Sequence, residues 1–122
     1  PAPEPAAASA DAGGLRHLDL TLDPAHRAVM RGADEVVLTR TEFDLLHTLL
    51  ESRRRPRSKE DLVRVTRGDE PGVTLVTEHD KRAIEVHVTT LRRKLGAPAA
   101  EPRYIETVRG IGYRLTAERV DG

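Results

Sequence analysis

The chain has no cysteine and no tryptophan in its 122 residues. Without cysteine there is neither a disulfide framework nor a thiolate metal site, a composition that suits the cytoplasm. Aromatic side chains are limited to Phe43, Tyr104 and Tyr113. Binders of single-stranded nucleic acid stack bases on aromatic platforms, and three aromatics do not provide one. No apolar run approaches the ~18 residues of a membrane span, and no basic-then-apolar signal peptide opens the chain. The formal net charge is zero, which argues against an indiscriminate polyanion binder, so the distribution of charge matters more than its sum. His17, His26, His47, His79 and His87 are scattered without metal-ligand spacing. No Ser–His–acid motif is present, and Gly110-Ile111-Gly112 is too short to cradle phosphates as a P-loop does. No enzyme activity, metal or cofactor is therefore expected. Hydrophobic residues at 38% and charged residues at 33% describe one soluble globular domain with a modest core.

What is present is concentrated between Asp80 and Gly96. At about 100° per residue, Ile84, Val88, Leu91 and Leu95 share one narrow stripe, the spacing of an amphipathic helix lying on a core. Asp80 is placed to cap this helix and Gly96 to end it, with Pro98 just beyond. The opposite face carries Arg82, Val86, Thr89 and Arg93, with Ala83 and Thr90 at its edge. Two bases, two hydroxyls and small apolar groups suit the base edges and phosphates of duplex DNA; a solvated basic face beside a core reads the same way on this helix alone. From Arg82 to Arg114 there are seven bases against three acids, a local excess of four positive charges.

The rest of the chain is read in order. Residues 1–14 are Pro/Ala-rich, cannot bury a core and are expected to form a flexible linker, with a further domain expected on the N-terminal side. Residues 17–22 alternate as a half-buried strand, and Ala28–Arg31 and Glu35–Leu38 predict two more. Thr39 opens a helix through a capping box with Glu42, and Leu38 with Phe43 has the spacing of a hydrophobic staple. Phe43, Leu46, Leu49 and Leu50 supply its buried side. Arg53, Arg54, Arg55 and Arg57 follow, read either as cations ending a helix and entering a solvated loop or as phosphate contacts. Ser58 with Asp61 starts a second helix, with Leu62, Val63 and Val65 on its apolar side. A loop covers residues 68–80. After the third helix, Arg103–Val108 and Tyr113–Leu115 form a hairpin with Arg109 at its tip. Residues 15–117 make up the domain, and 118–122 a tail.

Three helices followed by a basic-tipped hairpin describe an α+β winged helix-turn-helix: an N-terminal antiparallel sheet, three helices and a C-terminal β-hairpin wing. The blocks Leu38-Thr39-Arg40-Thr41-Glu42-Phe43-Asp44-Leu45-Leu46, Ser58 to Leu62, Val86-His87-Val88 with Leu91-Arg92-Arg93-Lys94-Leu95, and Tyr104 to Arg114 stand in order. They resemble the C-terminal effector domain of OmpR/PhoB-type response regulators, the transcription factors of two-component signalling. The resemblance spans roughly residues 15 to 117. It implies a four-stranded N-terminal sheet, and sequence-specific binding of double-stranded DNA that controls transcription. Carried over by position, it implies Arg82, Val86, Thr89, Thr90 and Arg93 in the major groove, Arg92, Thr107 and Tyr113 on the DNA backbone, and Arg109 of the wing in a minor groove. It also implies a phosphorylated receiver domain before residue 1, a cognate histidine kinase, a cytoplasmic setting, and dimers formed through the receiver on direct-repeat half-sites. In relatives, the loop matching residues 68–80 contacts RNA polymerase or DNA.

This sequence departs from the pattern in three places. Many members carry Arg at the positions of Thr89 or Thr90, and many carry Trp near the end of the second helix, where Thr66-Arg67 stand here. The 68–80 loop is longer than usual. Winged helices can also serve as protein-interaction modules without DNA binding; the basic helix face, the Arg-tipped hairpin and the local charge excess argue against that alternative.

Overall fold

The computed structural model describes residues 14–68, 75–96 and 103–117. The expected linker, apart from Gly14, the tail at 118–122 and positions 69–74 of the long loop lie outside the described residues. At the N-terminus four short strands form an antiparallel meander: β1 (Leu15–His17), β2 (Leu20–Asp23), β3 (Ala28–Arg31) and β4 (Asp34–Glu35). The sequence predicted a single strand over 17–22. Instead the chain reverses at Leu18, whose φ of 57° lies in the left-handed region. His17 then pairs with Leu20 across the ladder, and both are buried. Leu18, Leu20 and Leu22 keep the alternation running through this turn, so a period-two pattern cannot register it. β4 is also shorter than expected. Beyond Val36, whose N–H donates to the Val29 carbonyl at 2.9 Å, the chain leaves the sheet for the first helix.

That helix, α1 (Arg40–Ser52), starts as its sequence requires. Thr39 Oγ1 accepts the Glu42 N–H at 3.2 Å, and Glu42 Oε1 accepts the Thr39 N–H at 3.0 Å. Two donors that helix geometry leaves unpaired are thereby satisfied. Phe43, Leu46, Leu49 and Leu50, together with Leu45, are buried. Next come a two-residue strand, β5 (Arg57–Ser58), and α2 (Lys59–Arg67), whose Ser58–Asp61 capping box is formed. Leu62 and Val63 are buried, while Val65 is half-buried.

The third helix, α3 (Glu78–Lys94), buries Ile84, Val88 and Leu91, and Leu95 follows them into the core. Its start differs from the expectation. Thr77 is the cap, and Asp80 is the third helical residue, with its carboxylate accepting the Thr77 N–H at 2.9 Å. A cap must keep an extended backbone, which Thr77 does at φ −97°, ψ 168°. Asp80 instead completes a third capping box. The final hairpin is β6 (Ile105–Val108) and β7 (Gly112–Leu115), with β5 added to its open edge in the order β5-β7-β6. A two-residue strand has no periodicity of its own, which is why β5 was not foreseen. Gly112 makes its approach feasible, since a Cβ there would lie 1.9 Å from the Arg57 carbonyl oxygen. Arg103 and Tyr104, expected in the strand, precede it; the Tyr104 hydroxyl donates to Asp19 at 2.6 Å, tying the hairpin to the β1–β2 turn. Burial and that hydrogen bond raise the Tyr104 hydroxyl to about 12.

One core joins both sheets and all three helices, running from Leu20, Leu22 and Val29 through the helices to Tyr104, Ile105, Tyr113 and Leu115. Its rim holds a buried carboxylate. Glu42 accepts from Lys94 Nζ at 2.8 Å, linking the start of α1 to the end of α3. Burial pushes the Glu42 carboxyl up, but the Lys94 ammonium and the Thr39 donors outweigh it and hold the group below its ordinary 4.5.

Two stability measurements check these contacts. Thr39→Ala should cost about 0.5–2 kcal/mol in urea denaturation through the lost cap; unchanged stability would contradict the capping role. Lys94→Met should cost about 1–2 kcal/mol, toward the low end for a charge-assisted bond because Lys94 is one-third exposed. A depressed carboxylate stabilises fully above its unfolded value and loses that contribution as pH falls through the folded one. The difference between wild type and Lys94→Met should therefore be full above about pH 5 and shrink below pH 4.5. A difference that stays constant with pH would contradict the Glu42 pairing.

Candidate nucleic-acid interface

With its apolar stripe against the core, α3 turns Arg82, Val86, Thr89 and Arg93 outward, all four exposed. Ala83 and Thr90 sit half-buried at the margin, as their spacing predicted. Thr89 donates its hydroxyl back to the Glu85 carbonyl at 2.9 Å. Glu85 brings a carboxylate to the same helix, and Lys59 of α2 closes an ion pair with it. This pairing raises the Lys59 ammonium above its ordinary value and offsets the only acid among the outward side chains of α3 between Arg82 and Arg93.

The hairpin tip carries Arg109, exposed beside Gly110, whose φ of 75° lies in the left-handed region that favours glycine. A cleft of roughly 560 Å³ separates the tip from the first turns of α2 and α3. Lys59, Lys81, Thr107, Arg109 and Tyr113 line it, with Glu60 and Glu78. Sequence spacing did not single out Lys59 or Lys81, because the cleft joins two helix starts that lie far apart in the chain.

Arg92 occupies a different place from its exposed neighbours. It is 9% exposed. Its Nε donates to the Ile105 carbonyl at 3.2 Å, and a terminal nitrogen donates to Thr107 Oγ1 at 2.8 Å. The guanidinium carbon lies 5.5 Å from the centre of the Tyr113 ring. Burial lowers the Arg92 pKa from its ordinary value. Tyr113 is 5% exposed, and burial raises its hydroxyl. That hydroxyl has no hydrogen-bond partner among the described residues, and Tyr113 is one of the residues lining the cleft. The three residues assigned to backbone contacts thus meet at one junction, in which Arg92 fastens α3 to both strands of the hairpin.

The remaining cations sort cleanly. Lys94 is held by Glu42, Arg103 by Asp19 and Arg114 by Glu106 at 2.5 Å. Of the seven bases from Arg82 to Arg114, only Arg82, Arg93 and Arg109 have no side-chain partner among the described residues. The earlier arginine run is largely structural: Arg53 donates to the Arg16 carbonyl, Arg54 to Glu106 and the Leu115 carbonyl, and Arg57 to Ser52.

The sequence pattern of the family described as "Transcriptional regulatory protein, C terminal" matches residues 33–115. The chain belongs to this family. These are the winged-helix effector domains of OmpR/PhoB-type response regulators. Among its relatives is "Response regulator MprA" of Mycobacterium sp. strain KMS, 43% identical over 106 residues that cover 86% of this chain and 43% of the relative. The protein of the same name from Mycobacterium tuberculosis is 44% identical over 108 residues, covering 88% and 44%. The chain spans less than half the length of these curated relatives. Among solved structures, the RstA DNA-binding domain of Klebsiella pneumoniae in complex with RstA box superposes with a TM-score of 0.71 at 31% identity, covering 84% of this chain and 96% of that one. The DNA-binding domain of CpxR from E. coli gives 0.69 at 30% identity, covering 84% and 94%.

Within this effector-domain family the four-stranded sheet, three helices and wing are the shared frame. No helix among the described residues is long and apolar enough to cross a membrane. The Arg92 junction yields a direct check. Arg92→Ala leaves the Ile105 carbonyl without its donor and should cost about 1–3 kcal/mol. Amide exchange at Thr107 and Tyr113 should accelerate more than at Leu46 and Leu49 of α1. Equal acceleration in both places would mean that Arg92 does not hold the wing.

Proposed function

We propose that residues 15–117 are a sequence-specific reader of double-stranded DNA, the transcription-controlling part of a two-component response regulator, which acts by binding rather than catalysis. The helix α3 enters the major groove and Arg109 of the wing enters an adjacent minor groove. One observation carries this reading: the three bases between Arg82 and Arg114 that have no side-chain partner among the described residues stand at two points on α3 and at the wing tip. A cation that finds no partner within its own fold is available to phosphates or base edges. The RstA domain, solved with its own DNA box, supports the same use of the fold.

Within this reading, Arg82 and Arg93 contact guanine edges or phosphates, and Val86, Thr89 and Thr90 line the major groove between them. Thr107 and the open Tyr113 hydroxyl meet the backbone at the cleft. Arg92 is a positioning residue that sets the wing against α3. Residues 1–14 link the domain to a phosphorylated receiver served by a histidine kinase in the cytoplasm. RNA polymerase is a partner of the 68–80 loop, and dimers on direct repeats are the assembled form. The length of the curated relatives, of which the matched stretch covers 43–44%, supports a further domain.

Each phosphate contact adds roughly −0.9 to the log–log salt slope, so binding to a duplex selected from randomised DNA should weaken steeply between ~50 and ~200 mM salt. A narrow A·T-rich minor groove concentrates negative potential and attracts arginine. Arg109→Ala should therefore remove a preference for A·T-rich flanks while the preferences read by α3 persist. A flank preference that survives unchanged in Arg109→Ala, or binding indifferent to salt, would contradict the proposal.

A further inference from the structure

We infer that Val86 and Thr89 form an apolar reading pair that recognises the 5-methyl groups of thymines in the major groove. This rests on the DNA-binding reading above and adds to it the chemical feature that is read. Val86 is 63% exposed, one of four large hydrophobic residues left in solvent among the described residues. It lies at the middle of α3 and on the face opposite the core stripe. A β-branched residue there gains nothing from packing and is a weaker helix former than alanine.

Thr89 stands one turn further on, three residues from Val86, so their Cβ atoms are neighbours at about 5–6 Å. Its hydroxyl is donated to the Glu85 carbonyl at 2.9 Å. With its proton engaged along the helix, the hydroxyl can only accept, and the methyl is the group left for apolar contact. Arg82 and Arg93, both without a side-chain partner among the described residues, bracket the pair. An isolated apolar spot between two free guanidiniums does not suit a protein core, which would bury those charges unpaired. It suits DNA, where phosphates take the arginines and the thymine methyl is the apolar group presented in the major groove. Neighbouring bases on one strand follow at about 3.4 Å along the axis, so two thymines at or near adjacent steps come within reach of the pair.

Deoxyuridine deletes this methyl and leaves every hydrogen-bonding edge in place. The test takes the duplex that the 122-residue chain selects from randomised DNA and replaces each thymine singly by deoxyuridine. At one or two central positions affinity should fall about fourfold, the effect of exposing one methyl-sized group. Val86→Ala should abolish the sensitivity at one position. Thr89→Ser keeps the hydroxyl and removes the methyl, and should abolish it at the other, whereas Thr89→Val keeps the methyl and should preserve it. Both positions are exposed, so these variants leave the core intact. Uniform tolerance of deoxyuridine by a chain that binds its duplex would overturn this inference alone. Sensitivity kept by Thr89→Ser and lost by Thr89→Val would overturn it too, in favour of a hydroxyl contact. Failure to bind any duplex would overturn the DNA-binding reading and this inference with it.

Discussion

The buried guanidinium of Arg92 is the contact on which the geometry of the surface depends. It donates to the Ile105 carbonyl and to Thr107 Oγ1 and lies against the Tyr113 ring. Both strands of the hairpin are therefore referenced to one residue of α3. A charged group taken out of water is costly unless its donors are met, and here backbone, hydroxyl and aromatic face meet them together. Lysine is not an equivalent replacement, because its compact ammonium lacks the planar fork through which Arg92 donates from two separate nitrogens. With the hairpin fixed this way, the Arg109 tip and the outward face of α3 act as parts of one surface.

The other side of α3 is fixed by polar contacts to α2. Lys59 pairs with Glu85, Lys81 with Glu60 at 3.4 Å, and Arg67 with Asp80 at 2.6 Å. Asp80 also accepts the Thr77 N–H, the main cause of its depressed pKa, with the Arg67 guanidinium adding to it. These are surface pairs, each of small energetic weight. Their consequence lies in which charges they occupy. They occupy Lys59, Arg67 and Lys81, whereas between Arg82 and Arg114 the side chains of Arg82, Arg93 and Arg109 have no partner among the described residues. A chain with zero net charge thereby keeps unpaired bases on the outward face of α3 and at the wing tip.

Much of this was legible in the sequence, for identifiable reasons. The 3.6-residue period places Ile84, Val88, Leu91 and Leu95 inward and Arg82, Val86, Thr89 and Arg93 outward. The cap residues at Thr39 and Ser58 fix two helix starts. The α3 start was misplaced because Asp80 is a good cap in isolation, while Thr77-x-x-Asp80 is the better box. Period-two alternation hid the reversal at Leu18, and β5 is too short to have a pattern. Arg92 lies four residues after Val88 and next to Leu91, at the edge of the buried stripe. Its residue type argued for exposure, and only the hairpin supplies the partners that bring it inside. No spacing rule joins Arg92 to Ile105 and Thr107, since the hairpin's approach is a tertiary event.

The central claim is that α3 and the wing read two grooves of one duplex together. Methylation interference on a selected duplex tests it directly, since guanine N7 lies in the major groove and adenine N3 in the minor groove. The account predicts interference at guanine N7 positions within the half-site and at adenine N3 positions in the flank beside it. Interference confined to one groove, or none on a duplex that still binds, would contradict it.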